Sequence, residues 1–432
     1  MLLDIKNFFY QKYYRDLSAI SFASLIVPLL NAIIVIPLFI VNWGVDKYGE
    51  WIILLALVGF TGFFTIPIHA SYGNEVANNR ESKVFLEKSF IHYFLLMLIV
   101  CGLILSAYII IFYVFFENYE IRYIENKNII YFLLVITGII DSFFSLLLGG
   151  LRFFSQYKKS LTIEFVLSLS KISLIILLLF LQMDPIYLCL GNLVISFVMI
   201  LYILIYCRYI VPSFNYRLFN ILHLKESIQK GSYRLLYGLG FNTKLNIEIL
   251  ILGSLLKPSY LVLYTTTLTL VNIAQTLQDR FSRIFIDELS ALYSQKKYAF
   301  LKKKYNFFCI FSLFLIFCLA VPLFFFGEWI FTYWTRQRIF FDNVFFILIL
   351  FSAILQCIGN AKVVILSTLN EVKIISLLQL FATLSSLIAT YILTFYFGIH
   401  GSAFALISFY AVMLFCIFYS VEIFFSKITK KY

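Results

Sequence analysis

The amino-acid sequence predicts an all-α integral membrane protein with about twelve transmembrane helices. Three observations support this fold class: the apolar composition, the number and length of the apolar runs, and the distribution of basic residues among the loops. Of the 432 residues, 62% are hydrophobic and 13% are charged, whereas soluble proteins carry roughly 25% charged residues. Because the mean hydropathy is +0.94, little of the chain is left for a soluble domain.

Apolar runs long enough to span a bilayer, which requires about 20 residues each, follow one another along the whole chain. There are twelve, near 17–42, 50–71, 89–116, 128–150, 160–182, 185–207, 233–256, 260–284, 306–331, 342–367, 374–397 and 400–425. The gap at 208–232 separates an N-terminal six-helix lobe, 1–207, from a C-terminal six-helix lobe, 233–432. Apolar residues recur at helical spacing within this gap, which predicts an amphipathic linker on the cytoplasmic membrane surface.

The basic residues are distributed unequally between the loops predicted on the two sides of the membrane. If both termini are cytoplasmic, 25 of the 34 Lys and Arg residues lie on the cytoplasmic side and six lie in outer loops. This asymmetry is the usual signature of orientation in membrane proteins. It accounts for the net charge of +12 without a nucleic-acid partner. The other three basic residues fall inside apolar runs: Lys171, Lys244 and Lys362.

Charged residues inside spans are candidates for function, because each costs about 2.5–3.5 kcal/mol at the centre of a bilayer on insertion scales. Asp141 in the fourth run and Lys171 in the fifth both lie roughly 14–17 Å from the cytoplasmic end, at 1.5 Å per residue. Since a short loop joins these runs, the two side chains can form an interhelical ion pair. Such a pair would either line a cavity or serve only to stabilise the fold.

Lys244 and Glu248 in the seventh run are four residues apart and therefore share one helix face. Asn242 and Asn246 add a second polar stripe, so we expect this helix to line a water-filled cavity; the alternative is a buried structural pair. Lys362 lies near the inner end of the tenth run, where its long stem can reach the headgroups instead.

The sequence lacks the signatures of an enzyme or a metalloprotein. The seven cysteines form no CxxC pair and the four histidines are scattered, so neither a metal site nor a cofactor is predicted. Phosphate-loop, HExxH and GxSxG motifs are missing. The longest outer loop, 117–127, is too short for the catalytic loop that a glycan polymerase or lipid-sugar ligase needs, and no selectivity-filter pattern indicates a channel.

Four short stretches resemble the polysaccharide-exporter flippases of the MATE-like (MOP) superfamily, which include the O-antigen (Wzx-type) flippases. They are Tyr48-Gly49-Glu50-Trp51, Gly149-Gly150-Leu151-Arg152, the NIEILILG run containing Glu248, and the outer turn Tyr396-Phe397-Gly398-Ile399-His400-Gly401. The outer turn is the clearest match, although Phe397 and Ser402 depart from the family pattern. Arginines near the midplane of runs one, two and eight are missing, which argues against a peptidoglycan precursor as substrate.

This resemblance implies two six-helix lobes around a central cavity. It also implies that undecaprenyl-diphosphate-linked oligosaccharide, an O-antigen repeat unit for lipopolysaccharide biosynthesis, is flipped to the periplasmic leaflet of a bacterial inner membrane by alternating access. Membrane lipid, a glycan polymerase and chain-length machinery are the expected partners. Lys171, Lys244 and Lys362 would bind the diphosphate, and Asp141 and Glu248 would balance charge or bind a coupling ion. The alternative is a cation-coupled multidrug exporter of the same superfamily.

Overall fold

The computed structural model describes residues 23–78, 83–118, 121–151, 156–206, 244–295, 297–368 and 372–431. Within these ranges the regular structure is helical and contains no strand. The helices are α1 (Ile26–Leu30), α2 (Ile36–Asn78), α3 (Lys83–Asn118), α4 (Lys127–Gly150), α5 (Tyr157–Phe180), α6 (Pro185–Tyr206), α7 (244–255), α8 (Pro258–Val271), α9 (Ile273–Ser294), α10 (Tyr298–Trp334), α11 (Asn343–Thr368), α12 (Val372–Phe397) and α13 (Ile399–Lys431).

Nine helical segments in the described ranges are long and apolar enough to cross a membrane: Ile26–Gly73, Phe85–Ile110, Lys127–Gly150, Lys158–Phe180, Pro185–Ile205, Tyr298–Trp334, Asn343–Leu366, Leu378–Phe397 and Ile399–Ile423. This confirms the predicted all-α, multi-pass fold class. The first segment is 48 residues long and contains predicted run one from Ile26 onward and all of run two, which are separated by a non-helical break at Gly44 (φ 78°, ψ 169°).

The seventh and eighth predicted runs are not among the nine segments. Only part of the seventh is described, from residue 244 onward. The eighth is interrupted at Asn272, which leaves a 14-residue α8, and α9 carries five charged residues that lower its hydropathy. The hydropathy of the sequence did not predict the interruption at Asn272, because the chain has no proline or glycine at this position.

A π-helical turn, Asn31–Val35, connects α1 to α2. It lies between Pro28 and Pro37, neither of which has a backbone N–H to donate. Local widening of this kind is a common form of irregularity where the helical hydrogen-bond ladder is interrupted. The two prolines that flank the π-helical turn therefore account for the interruption of regular α-helix in the first span.

The chain forms two compact units. Unit 1 comprises Met1–Asn42 and Ile53–Gly238, and unit 2 comprises Trp43–Ile52 and Leu239–Tyr432. The short segment 43–52 thus packs with the C-terminal half although it belongs to the first lobe in sequence. The predicted linker 208–232 lies outside the described residues, so the predicted lobe boundaries stay a prediction.

Unit 1 is held together by aromatic packing and by hydroxyl hydrogen bonds between helices. Tyr72 on α2 and Tyr93 on α3 are buried in one apolar cluster, with ring centroids 5.6 Å apart. Tyr108 on α3 lies 2.9 Å from the Leu57 carbonyl, and Ser142 on α4 donates to Thr65 on α2 at 2.9 Å. Such bonds between membrane helices contribute about 0.6 kcal/mol each on average, so the packing dominates the stability of the unit.

Gly49 lies where segment 43–52 meets the start of α8. A methyl group added at Gly49 would lie 2.7 Å from both the Cβ and the carbonyl oxygen of Pro258. We expect Gly49→Val to lower the free energy of unfolding by about 1–3 kcal/mol, as overpacking typically does. Thermal unfolding of the purified protein in detergent measures the effect. Gly102→Val is the matched control because nothing lies within 4 Å of its added group; equal melting temperatures for the two variants would refute the packing argument.

Candidate functional site

Three helices of unit 1 converge on the carboxylate of Asp141. Lys171 Nζ on α5 donates to both carboxylate oxygens, at 2.7 Å from Oδ1 and 2.6 Å from Oδ2. Ser196 Oγ on α6 lies 2.7 Å from the same Oδ1. The ion pair anticipated from the equal depths of Asp141 and Lys171 is therefore present, and Ser196 adds a third hydrogen-bonding group.

This cluster is only partly covered within its own unit. The side chain of Asp141 is 36% exposed and that of Lys171 is 18% exposed, whereas Ser196 is fully buried. A charged pair deep in a span rarely faces hydrocarbon; such groups usually face a water-filled cavity or another polar partner. We therefore expect the exposed side of this cluster to face water or a polar group and not hydrocarbon.

Lys244 and Glu248 form an ion pair on α7, and here the surroundings are closed. Lys244 is 4% exposed and Glu248 is 1% exposed. Tyr264 on α8 donates to Glu248 Oε2 at 3.2 Å, and Lys244 Nζ lies 4.5 Å from the ring centroid of Phe409 and 5.8 Å from that of Tyr410. The expected water-lined face is not what the structure shows, because three aromatic side chains from α8 and α13 cover the pair.

Lys362 on α11 is half-buried and projects across α13. Its Nζ lies 3.9 Å from the centroid of the Phe418 ring, a cation–π distance. Among the described residues no carboxylate lies within ion-pair distance of this ammonium. Lys362 is thus the embedded lysine whose charge the described part of the fold leaves unbalanced.

The five predicted site residues fall into separate groups. Asp141 and Lys171 meet in unit 1, Lys244 and Glu248 meet in unit 2, and Lys362 contacts neither carboxylate. The described part of the chain contains no group of three or more His, Cys, Asp or Glu side chains that could hold a metal ion.

Sequence reasoning missed Ser196 and Asn192. They lie four residues apart on α6 and therefore on one face of it. Apart from these two side chains and Tyr and Cys residues, α6 is apolar, and that isolated pair was the signal in the sequence. Ser196 also lies 2.9 Å from the Asn192 carbonyl. The side-chain Oδ1 of Asn192 is buried and has no hydrogen-bond partner among the described residues.

The outer turn that carries the clearest family match has a structural role. Gly398 adopts a φ of 57°, a left-handed conformation that glycine accepts readily. His400 Nε2 lies 3.1 Å from Asp342 Oδ2, and Asp342 Oδ1 accepts from the Phe345 N–H at 3.0 Å at the start of α11. The turn therefore links α13 to the N-terminus of α11.

Solved structures share the fold of this chain over nearly its whole length. An inward-facing multidrug resistance MATE family transporter of the MOP superfamily matches with a TM-score of 0.70 and 14% identity, covering 95% of this chain and 99% of that chain. A MATE in complex with MaL6 matches with a TM-score of 0.64 and 16% identity, over 95% and 97% of the two chains.

A third structure is a MOP superfamily transporter from Pyrococcus furiosus, described as having a binding pocket of reverse polarity that suggests a different function. It matches with a TM-score of 0.64 and 16% identity, over 95% of this chain and 94% of that chain. No family model matches the sequence, and no curated protein matches it. At these identities the likeness is one of fold, and the chain has the MATE-like fold of the MOP superfamily transporters.

Proposed function

We propose that this chain is a membrane transporter that flips undecaprenyl-diphosphate-linked oligosaccharide, an O-antigen repeat unit, from the cytoplasmic to the periplasmic leaflet of a bacterial inner membrane. Alternating access of a MATE-like fold supplies the mechanism. The observation that carries the proposal is the balance of embedded charge. The five embedded charged side chains are three lysines and two carboxylates, each carboxylate is already paired with a lysine, and Lys362 has no carboxylate partner among the side chains that the structure describes.

An excess of embedded cations suits a diphosphate, whose oxygens accept charge-assisted hydrogen bonds from ammonium groups. Of the three embedded lysines, Lys171 in unit 1 and Lys362 in unit 2 are the two that are at least partly exposed, so each is proposed separately as a contact for the diphosphate. Lys244 is closed in by aromatic rings and would reach a substrate only in a conformation that opens its pair with Glu248. We therefore assign Lys244 and Glu248 mainly to charge balance.

A cation-coupled multidrug exporter is the second candidate. Two observations favour it: one similar structure is a multidrug resistance MATE transporter, and the Asp141 carboxylate is 36% exposed, as a binding site for an organic cation would require. The two functions make opposite demands on the charges. An exporter would depend on the carboxylates and tolerate loss of the lysines, whereas the flippase would depend on the lysines.

Deletion of the gene in its native host tests the proposal. Loss of long surface polysaccharide on a gel, restored by a plasmid copy, supports the flippase, whose product a glycan polymerase and chain-length machinery would then extend. Unchanged polysaccharide together with increased sensitivity to cationic drugs would contradict the flippase and support the exporter.

Lys362 gives a sharper test of the charge balance. We expect Lys362→Gln to lower the amount of long polysaccharide about tenfold, which corresponds to about 1.4 kcal/mol of lost interaction, and Lys362→Arg to retain most of it. Lys302→Gln is the matched control, since Lys302 also lies over an aromatic ring, 5.9 Å from the Phe425 centroid, but is exposed near the cytoplasmic end of α10. Equal effects of Lys362→Gln and Lys302→Gln would contradict a substrate-binding role.

A further inference from the structure

We propose that the turn 335–342 between α10 and α11, called here the arginine turn, binds the headgroup of an anionic phospholipid in the leaflet predicted to be periplasmic. The turn carries Arg336 and Arg338, and the last two turns of α10 carry Trp329 and Tyr333, called here the aromatic pair. The guanidinium groups would hold the lipid phosphate, and the aromatic pair would contact the glycerol and the acyl chains. The site involves none of the five embedded charged side chains and does not depend on the proposed substrate.

The backbone of the arginine turn is fixed by hydrogen bonds. The amide nitrogen of Arg336 lies 3.2 Å from the Tyr333 carbonyl oxygen, and that of Gln337 lies 2.9 Å from the Thr332 carbonyl oxygen. These two bonds form a Schellman motif, which usually has glycine at its left-handed position. Here Arg336 and Gln337 adopt φ values of 50° and 58°. An arginine therefore occupies a position whose backbone favours glycine, and its side chain is directed by a defined conformation.

Aromatic packing anchors the turn to unit 2. The ring of Phe331 is fully buried, and its centroid lies 5.5 Å from that of Phe341 in the turn. Phe341 in turn lies 5.2 Å from Phe346 on α11. Gly327 permits the close approach of the two helices, because a Cβ added there would lie 2.5 Å from an atom of the Phe346 ring. Since this support is already ordered, little conformational entropy is lost when the turn binds a ligand.

The length of α10 places the arginine turn among lipid headgroups. A run of three lysines, 302–304, lies near the first turn of the helix. From this run to Trp334 the helix rises about 45 Å, at 1.5 Å per residue. A bilayer with its headgroup regions is about 40–45 Å thick. Arg336 and Arg338 therefore lie at the depth of the lipid phosphates, and the aromatic pair lies at the boundary of the hydrocarbon.

Both arginines are exposed and have no ion-pair partner among the residues that the structure describes. Glu328 is exposed on α10 and does not pair with them, and Asp342 is engaged by His400. Because basic residues are usually depleted on the outer side of a membrane protein, the predicted orientation does not account for Arg336 and Arg338. A lipid phosphate offers the bidentate acceptor that a guanidinium group prefers.

The aromatic pair extends a face of α10 that is open to lipid. Phe314, Phe325 and Trp329 follow one another at intervals of 11 and four residues, so they share one helix face, and all three are exposed. Trp329 and Tyr333 are 67% and 77% exposed, and their rings stack with centroids 5.8 Å apart. Trp and Tyr are enriched at the membrane interface. A lipid therefore fits both parts of the site, with acyl chains along the apolar face and a phosphate at the arginines.

The test is quenching of tryptophan fluorescence by phospholipids with brominated acyl chains, using the full chain in lipid nanodiscs. Anionic phosphatidylglycerol and zwitterionic phosphatidylcholine, each brominated, are compared at equal mole fractions in a phosphatidylcholine background. The chain has four tryptophans, so the signal that Trp329→Phe removes isolates the contribution of Trp329. We expect phosphatidylglycerol to be preferred at this position, by about fivefold for each arginine, which corresponds to the usual attraction of one basic residue to an anionic membrane surface.

Variants separate a headgroup site from general attraction. Arg336→Gln and Arg338→Gln should each lower the preference about fivefold, and the double variant should abolish it while quenching by phosphatidylcholine persists. Arg336→Gly should lose the preference to the same extent and remain as stable as the wild type in thermal unfolding, because glycine accepts the left-handed backbone. Lys257→Gln is the matched control, since Lys257 is an exposed basic residue on the same predicted side, at the start of α8, and should leave the preference unchanged.

Equal quenching of Trp329 by the two lipids would overturn the inference and leave only an interfacial aromatic residue. Absence of quenching by either lipid would overturn it too, and would indicate that a protein partner or a second copy covers this face. Displacement of brominated phosphatidylglycerol by soluble glycerol phosphate would contradict a lipid site, because an isolated phosphate would then suffice. The flippase is tested separately: a chain that restores surface polysaccharide without a lipid preference loses only this site.

Discussion

Replacing Lys244 with Met while Glu248 remains is expected to destabilise unit 2 by about 3–5 kcal/mol, the usual cost of leaving one partner of a buried ion pair without the other. Glu248 is 1% exposed and, among the described residues, would keep only the hydrogen bond from Tyr264, at 3.2 Å. Water cannot compensate the carboxylate while Phe409 and Tyr410 cover the site. Thermal unfolding in detergent, or expression level where the variant is too unstable to purify, measures the loss.

The double variant Lys244→Met with Glu248→Leu tests whether the loss of stability comes from the unpaired charge. Because replacing both members of a buried pair with apolar residues is often neutral or stabilising, it should recover most of the lost stability. A comparison with Tyr264→Phe isolates the smaller contribution of the hydroxyl, about 1–3 kcal/mol when a charged acceptor loses its donor. Should Lys244→Met melt at the wild-type temperature, the pair is hydrated and the closed geometry does not describe the protein in solution.

Lys171→Gln is expected to lower polysaccharide export at least tenfold, because it removes the exposed cation proposed to hold the diphosphate. The difficulty is that the same change leaves Asp141 without its counter-ion, which would also destabilise the protein. Adding Asp141→Asn removes that penalty, since the uncharged pair needs no compensation. We expect the double variant to be folded and still inactive.

This double variant distinguishes the two interpretations of the pair. If Asp141 and Lys171 only stabilise the fold, neutralising both together restores export. If Lys171 binds the headgroup, export stays lost while the size-exclusion profile returns to normal. Lys171→Arg, which keeps the charge, should retain part of the activity; complete loss with Arg and full rescue by the double variant would argue against the assignment.

The sequence predicted the all-α membrane fold class because hydropathy is a local property, whereas the orientation inferred from loop charge stays a prediction. Counting residues from the cytoplasmic ends also anticipated the pairing of Asp141 with Lys171, since two adjacent spans joined by a short loop place residues of equal depth side by side. The i,i+4 spacing of Lys244 and Glu248 likewise predicted their contact. These are the features that depth and helical periodicity determine.

The sequence could not predict which side chains surround each ion pair. Glu248 is covered by Tyr264 and its partner Lys244 by Phe409, and no spacing rule connects α7 to a residue on α13. Ser196 reaches Asp141 from 55 positions along the chain. The close approach of Gly49 to Pro258 joins segments far apart in sequence, and it gives a physical reason for a glycine in the Tyr48–Trp51 stretch that the sequence identified only by resemblance.

The central claim is that embedded lysines of a MATE-like fold move an anionic lipid-linked sugar across a membrane. The most direct measurement uses proteoliposomes containing the purified chain and a fluorescent oligosaccharide on a polyprenyl diphosphate, with lectin quenching to count the sugars that reach the opposite leaflet. The account predicts rapid translocation by the wild type, little by the Lys171→Gln/Asp141→Asn variant, and none when the same glycan is carried on an uncharged lipid. Failure to move the diphosphate-linked sugar, with uptake of a cationic dye by the same vesicles, would contradict it.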